Sequence, residues 1–281
     1  MELKSLAEVE LRDATFPINR NAPSNFLPAL RTAALLRELI ALGVLDASLS
    51  KVLMLSGKVV GCCLVERSAG GGLLSGLGIE SLAQQRGGGR ALLEGVIAAA
   101  RAAKLPQLSV EVGEADSSQQ ALLHAVGFER RQTLCRMALA DSPNRALLPP
   151  ESSEPSAQPG VTTIAVETAL QFLHTQPDWH PAPVAQPEVL RKLTSRLSCL
   201  AMRTGEAILA VLVVDKERKL IVTCTGETVA LAALAVFGAV HHGVAFADSL
   251  SEDDPAVAAL TMAGFHRLSL RSEHTLTLGT S

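Results

Sequence analysis

Apolar and polar positions change period along the chain, and each change marks an element. Leu3, Leu6, Val9 and Leu11 fit a short strand or a helix equally well, and the pattern leaves that choice open. Leu30, Ala33, Ala34, Leu36, Ile40 and Ala41 recur at helical spacing, which predicts a helix from Phe26 to Leu42 ended by Gly43. Two apolar runs, Lys51 to Leu55 and Val59 to Val65, flank Ser56-Gly57 and read as a β-hairpin. Gly70-Gly71-Gly72 turns the chain into a third run, Leu73 to Ile79. An Ala/Leu-rich helix follows from Arg90 to about Ala103. Leu108 to Val112 alternates, with Leu108, Val110 and Val112 on one face and Glu111 on the other. Asp116 is placed to cap a helix over Gln119–Val126, Gly127-Phe128 closes that helix, and Gln132 to Ala140 reads as a strand.

Between Leu73–Ile79 and the Ala/Leu helix lies Glu80-Ser-Leu-Ala-Gln-Gln-Arg-Gly-Gly-Gly-Arg90. A strand thus runs into a glycine loop that opens a helix. The unpaired N–H groups and partial positive charge of a helix N-terminus suit a phosphate, and glycines let the backbone approach it. The spacing is neither that of a P-loop nor G-x-G-x-x-G.

The pattern then repeats. Asp141 to Gly160, rich in Pro and Ser, reads as a linker. Leu197-Ser198 and Gly205 lie 148 positions after Leu49-Ser50 and Gly57. The hairpin therefore recurs as Cys199–Arg203 and Ala207–Val214 around Thr204-Gly205. Asp253 and Gly264-Phe265 mirror Asp116 and Gly127-Phe128 at an offset of 137, so the second copy is eleven residues shorter between hairpin and aspartate. There Leu220–Thr225 feeds the helix Glu227–His241 through Gly226 alone, which stands where the first copy has Gly89. The expected division is a first domain over 1–143, a linker over 144–160 and a second domain over 161–281.

Composition narrows the function classes. A net charge of −3 gives no electrostatic reason to expect nucleic acid or an anionic membrane as partner. No apolar run is long enough to span a bilayer, and Met1-Glu2-Leu3-Lys4 does not begin a signal peptide. The five cysteines, Cys62, Cys63, Cys135, Cys199 and Cys224, form no C-x-x-C and sit in apolar runs. They read as reduced, buried thiols of a cytoplasmic protein, and no metal site is expected.

Gln84-x-x-Gly87-x-Gly89 after a strand, with the order hairpin, strand, loop, helix, strand, helix, Gly-Phe, strand over Leu45 to Ala140, resembles the GNAT acetyltransferase family. The whole chain looks like a tandem-GNAT protein whose carboxy-terminal copy has degenerated. Trp179-His180-Pro181 faintly resembles a Pro-Trp segment of that subgroup. The resemblance implies an α/β (α+β) fold of two tandem GNAT-like domains, each a mixed, mostly antiparallel sheet flanked by helices. It implies an N-acetyltransferase that moves an acetyl group from acetyl-CoA, the co-substrate, to an amine of a small molecule or peptide. The backbone of Leu77, Gly78 and Ile79 would hold pantetheine. The N–H groups of Gln84, Gln85, Arg86, Gly87, Gly88, Gly89 and Arg90 would hold the pyrophosphate, and Asp116, standing where the family usually carries Asn, would join the cofactor-binding residues. The oligomeric state is not legible, although a tandem repeat is compatible with a monomer.

The chain departs from the family at the acid. Where the family carries a tyrosine four residues before Gly-Phe, this chain has Leu123, and it contains no tyrosine. The family's base position falls near Leu73. Glu80, Glu111 and His124 are the remaining acid–base candidates near the expected cleft. Two alternatives follow: a CoA or acyl-carrier binding protein or non-transferase acyl enzyme of the same fold, and a structural protein with two inert copies.

Overall fold

The computed structural model describes residues 1–20, 31–68, 70–84, 86–140, 142–148, 159–176, 185 and 187–279. These form two compact units: Met1–Gln132 with Ser272–Ser281, and Thr133–Arg271. The expected helix start at Phe26, Gln85, Trp179-His180-Pro181 and most of the Pro/Ser linker lie outside the described residues.

The first unit opens with β1 (Glu2–Ser5) and a 3₁₀ turn, then α1 (Leu11–Arg20) and α2 (Ala33–Ala41). This settles the ambiguous first stretch as a strand followed by a helix. Thr32 caps α2, its hydroxyl accepting the Leu35 N–H at 3.1 Å. The hairpin is β2 (Lys51–Leu55) and β3 (Lys58–Ser68). Its turn residues Ser56 and Gly57 both have positive φ, +49° and +78°, as a two-residue hairpin loop that follows the strand twist requires. Then come β4 (Gly71–Ile79), a single-turn helix α3 (Ser81–Gln84), α4 (Gly88–Ala102), β5 (Gln107–Gly113), α5 (Ser117–Ala125) and the first residues of β6 (Glu129–Leu139). The loop is therefore not a bare glycine turn. One helical turn precedes the glycines, and α4 starts two residues before the expected Arg90.

The second unit repeats the plan: β7 (Gly160–Ile164), α6 (Val166–His174), α7 (Pro187–Lys192), β8 (Leu197–Thr204), β9 (Ala207–Asp215), β10 (Leu220–Gly226), α8 (Thr228–His242), β11 (Phe246–Ser251), α9 (Pro255–Met262) and β12 (Phe265–Thr277). Gly160, read as linker, already belongs to β7. The aspartate that caps α9 is Asp254, accepting the Ala256 N–H at 2.8 Å, one residue beyond the expected Asp253.

Sheet order in the first unit is β1-β2-β3-β4-β5-β12, and in the second β7-β8-β9-β10-β11-β6. The two orders match position by position, and among the described strand pairs of each the parallel one is the equivalent one, β4–β5 and β10–β11. The last place in each sheet is filled from the other half of the sequence. Ser272–Thr277 of β12 belongs to the first unit, and Thr133–Leu139 of β6 to the second. The compact units therefore follow a different division from the one drawn at the linker. Sequence composition marks where a chain is polar, not which sheet a strand joins.

In the first unit Val65, Leu74, Val110 and Val112 meet Leu92, Leu93, Val96 and Ala100 of α4, with Leu123, Phe128 and Leu276. Burying each large aliphatic side chain contributes about 1.5–3 kcal/mol, so this face of α4 fixes the helix, and its N-terminus, against the sheet.

Candidate functional site

The site is built on a strand that loses a neighbour. β4 pairs with β5 at Gly72–Leu108, Leu73–Ser109 and Leu74–Val110, and there the pairing stops. The β3–β4 register slips at the same place: Val65 faces Leu74, Leu64 faces Gly76, and Ser75 is the extra residue. A bulge bends the strand that carries it, so β4 leaves β5 at Ser75 and opens a gap along Ser75–Ile79. The second unit has the same device, with β10–β11 pairing ending at Ile221 and a register shift between Ile221 and Thr223.

Register decides which backbone groups face the gap. The Glu80 N–H bonds the Val60 carbonyl at 2.8 Å. Stepping back by two, Gly78–Cys62 and Gly76–Leu64 are the pairs that exchange both hydrogen bonds with β3. The N–H and C=O of Leu77 and Ile79 therefore point the other way, into the gap. Gly78 spends its own backbone groups on β3, and its lack of a side chain answers a different need. A Cβ there would lie 2.2 Å from the Pro17 carbonyl oxygen, because α1 passes directly over it.

Gln84 turns back on the strand, its amide donating to the Ile79 carbonyl at 2.8 Å. This ties the loop to the end of β4. Gly87, at φ +77° and ψ +13°, reverses the chain between α3 and α4, with nothing within 4 Å of its would-be Cβ. Gly88 and Gly89 are buried. A Cβ on Gly88 would lie 2.7 Å from the Ala83 carbonyl oxygen, and one on Gly89 would lie 2.9 Å from Ile79 Cδ1 and Leu122 Cδ2. The three glycines thus have three separate structural causes. The Ala91 N–H bonds the Gly87 carbonyl at 3.0 Å. The N–H groups of Gly88, Gly89 and Arg90 precede the first intrahelical donor, the Ala91 N–H, and form the positive end of α4. Arg86 and Arg90 are exposed, and Arg90 pairs with Glu94 at 3.0 Å. Such an exposed pair holds about 0.3–0.5 kcal/mol, which a phosphate could outbid.

The other candidates separate. Glu80 is half-buried at the head of α3, where its carbonyl accepts the Ala83 and Gln84 N–H groups. Glu111 is half-buried on the face of β5 opposite Val110 and Val112. His124 is exposed in the last turn of α5, while Leu123, at the tyrosine position, is 1% exposed inside the core. The carboxylate of Asp116 accepts the Gln119 N–H at 3.0 Å and the Ser118 hydroxyl at 2.8 Å, so it works as a helix cap. The cysteines are buried, and desolvation pushes their thiols up, Cys63 to about 12 and Cys135 and Cys199 to about 11, far from nucleophilic thiolates. Among the described residues no group of three or more His, Cys, Asp or Glu could hold a metal ion, and no helix is long and apolar enough to cross a membrane.

The second unit lacks the loop. Glu80 to Gly87 separate β4 from α4, whereas Glu227 alone separates β10 from α8, so most of the eleven-residue shortening is the loop itself. Gly226 is not a counterpart of Gly89. It ends β10 opposite Ala210, where a Cβ would sit 2.4 Å from the Ala210 Cα. A carboxylate, Glu227, stands where an anion would have to bind.

Three residues at the mouth of the gap escaped the sequence reading: Arg31, Glu66 and Ser75. The Arg31 Nη2 donates to the Ser75 carbonyl at 3.0 Å, and Nη1 lies 3.6 Å from the Glu66 carboxylate. The one signal in the sequence is that Ser75 is the only polar side chain in Leu73–Ile79.

No protein-family model matches the chain, and no curated protein matches it. Among solved structures, a tandem GNAT protein from the clavulanic acid biosynthesis pathway is 17% identical, covers 100% of both chains and superposes with a TM-score of 0.73. A Pyrococcus horikoshii protein gives 0.72 at 12% identity over 99% of this chain and 90% of its own. A GCN5-related N-acetyltransferase from Sphaerobacter thermophilus gives 0.69 at 15% identity over 99% of this chain and 95% of its own. The chain thus has the tandem GNAT fold along its whole length, two GNAT-like units in one polypeptide.

Proposed function

We propose that the first unit binds an acyl-CoA, acetyl-CoA foremost, and transfers the acyl group to an amine of a small molecule or peptide. The observation that carries this reading is the continuity of one backbone surface. It begins at the gap-facing N–H and C=O of Leu77 and the N–H of Ile79, and ends at the N–H groups of Gly88 to Arg90. An extended ligand with amide groups in its arm and phosphates at its end matches that surface in order. Leu77 and Ile79 would hold the pantetheine, the loop from Gln84 to Gly89 and Arg90 the pyrophosphate, and Arg86 and Arg90 would add charge. In the transfer the amine nitrogen forms a C–N bond to the acyl carbon, the C–S bond breaks, and CoA leaves as a thiolate that takes up the proton the amine gives away. Glu80 and Glu111 are the carboxylates proposed to move that proton. Buried free thiols fit a cytoplasmic protein. Titration calorimetry with acetyl-CoA and with CoA tests the reading: binding at micromolar concentration is expected, and no heat from either at high micromolar concentration refutes it.

A second reading, binding without transfer, is favoured by Leu123 lying in the core and His124 on the surface. Release of free thiol from acetyl-CoA across a panel of amines separates the two, since steady turnover with any amine removes the pure binding reading.

A further inference from the structure

We infer that Arg31 is a positioning residue for the acyl group: through the Ser75 carbonyl it fixes the bulge of β4, and with it the start of the splayed strand whose Leu77 N–H faces the gap where a thioester would lie. The inference rests on the acyl-CoA reading and adds to it a residue from outside the sheet and outside the loop.

The side chain is held from both ends. At the backbone, the Asn19 amide oxygen accepts the Arg31 N–H at 2.8 Å, and the Asn19 Nδ2 donates to the Arg31 carbonyl at 3.0 Å. At the guanidinium, Nη2 donates to the Ser75 carbonyl and Nη1 faces Glu66. Arg31 and Glu66 side chains are 18% and 12% exposed. Nη1 is fully enclosed and makes no hydrogen bond among the described residues. Desolvating both charges is costly, and an ion pair lacking a good hydrogen bond recovers that cost poorly. Folding alone is a poor reason for such a pair, since apolar residues of similar volume are often at least as stable in its place.

The geometry at the bulge supplies a reason. β5 has already departed at Leu74, so the Ser75 carbonyl has no ladder partner on that side. A peptide is planar. Fixing the carbonyl on Arg31 therefore fixes the plane between Ser75 and Gly76 and with it the start of the splayed strand. The Ser75 hydroxyl, the only polar side chain in β4, is buried and has no hydrogen-bond partner among the described residues. It sits two residues before the gap-facing N–H of Leu77. Preorganised donors of this kind stabilise the charge that grows on a thioester oxygen during attack.

The test uses the whole chain and acetyl-CoA labelled with ¹³C at the thioester carbonyl. Infrared spectra are recorded for the wild type, Arg31→Ala, Arg31→Lys and Ser75→Ala, with calorimetric affinities for acetyl-CoA and for CoA. In the wild type the bound carbonyl band is expected below its position in free acetyl-CoA. In Arg31→Ala it should return toward the free position, with acetyl-CoA affinity lowered about tenfold, the size of one hydrogen bond, and CoA affinity within about twofold. Methylguanidinium should restore part of the shift. Ser75→Ala should remove a further part. If Arg31→Ala does not fold, Arg31→Lys keeps the charge beside Glu66 and loses the forked geometry, and the same band should weaken. An unchanged band and an unchanged acetyl-CoA to CoA ratio in a folded Arg31 variant overturn this inference and leave the acyl-CoA reading standing. Failure of the wild type to bind either ligand overturns both.

Discussion

Alanine placed in turn at Gly87, Gly88 and Gly89 should destabilise the protein in an order set by three different obstacles. At Gly88 the new Cβ would lie 2.7 Å from the Ala83 carbonyl oxygen and 2.9 Å from Leu53 Cδ2. The first is backbone of α3, so the turn itself must move, and the cost falls at the upper end of the roughly 1–3 kcal/mol of overpacking. At Gly87 the space is open but φ is +77°. Left-handed backbone costs a residue with a Cβ about 1–2 kcal/mol, and asparagine, which tolerates it, should recover part of that. At Gly89 the obstacles are the side-chain tips of Ile79 and Leu122. These can rotate, and the gain of up to about 1 kcal/mol in helix propensity on replacing glycine nearly cancels what remains. Urea denaturation followed by circular dichroism checks the order. With a slope of about 1–3 kcal/mol per M, a loss of 2 kcal/mol moves the midpoint by roughly 1 M. A Gly88→Ala protein as stable as the wild type, or a Gly89→Ala protein weaker than Gly88→Ala, refutes the packing described for this loop.

Restoring the missing tyrosine should not restore a missing acid. Leu123 is 1% exposed in a filled core, so Leu123→Tyr should cost about 1–3 kcal/mol by overpacking and lower the thermal midpoint, with no gain in amine-dependent thiol release. His274 is 5% exposed; burial first and Arg130 second hold its pKa below the ordinary 6.5, against Glu114. The unfolded chain therefore takes up this proton before the folded one, and the stability involved is complete above about pH 6.5 and lost as pH falls through the folded pKa. Urea titrations between pH 5 and 8 should give parallel curves for wild type and His274→Gln above pH 7, and a shallower acid decline for the variant. Identical declines would remove His274 from the explanation.

Much of the fold was legible because it is local. The hairpin, the alternation of Leu108 to Val112 and the cap at Asp116 rest on patterns within ten residues of one another, and all three stand where expected. The repeat was legible because its markers kept their order. What escaped has non-local causes. The bulge at Ser75 is a mismatch between two strands and leaves no mark in either alone. Arg31 and Ser75 are 44 residues apart, and nothing in the sequence brings them together. Gly226 took the place of Gly89 in the sequence because each is the last glycine before a predicted helix, although one lies against a strand and the other against two side-chain tips. His124 drew attention as a histidine beside the tyrosine position, but the helical period places it on the exposed side whenever Leu123 is buried.

The strand that closes the first unit, Ser272–Thr277, is translated about 140 residues after Gln132. At ordinary synthesis rates of about 5–20 residues per second, the nascent first unit waits roughly 7–28 s with β5 lacking its outer neighbour. During that interval β5 is an unprotected edge, and the Pro106 carbonyl lacks the Leu278 N–H that it later accepts just past β12. The two units are therefore interleaved along the sequence rather than simply consecutive. Neither sheet is finished until nearly the whole polypeptide has emerged, and neither copy can be excised at the linker without taking the last strand of the other.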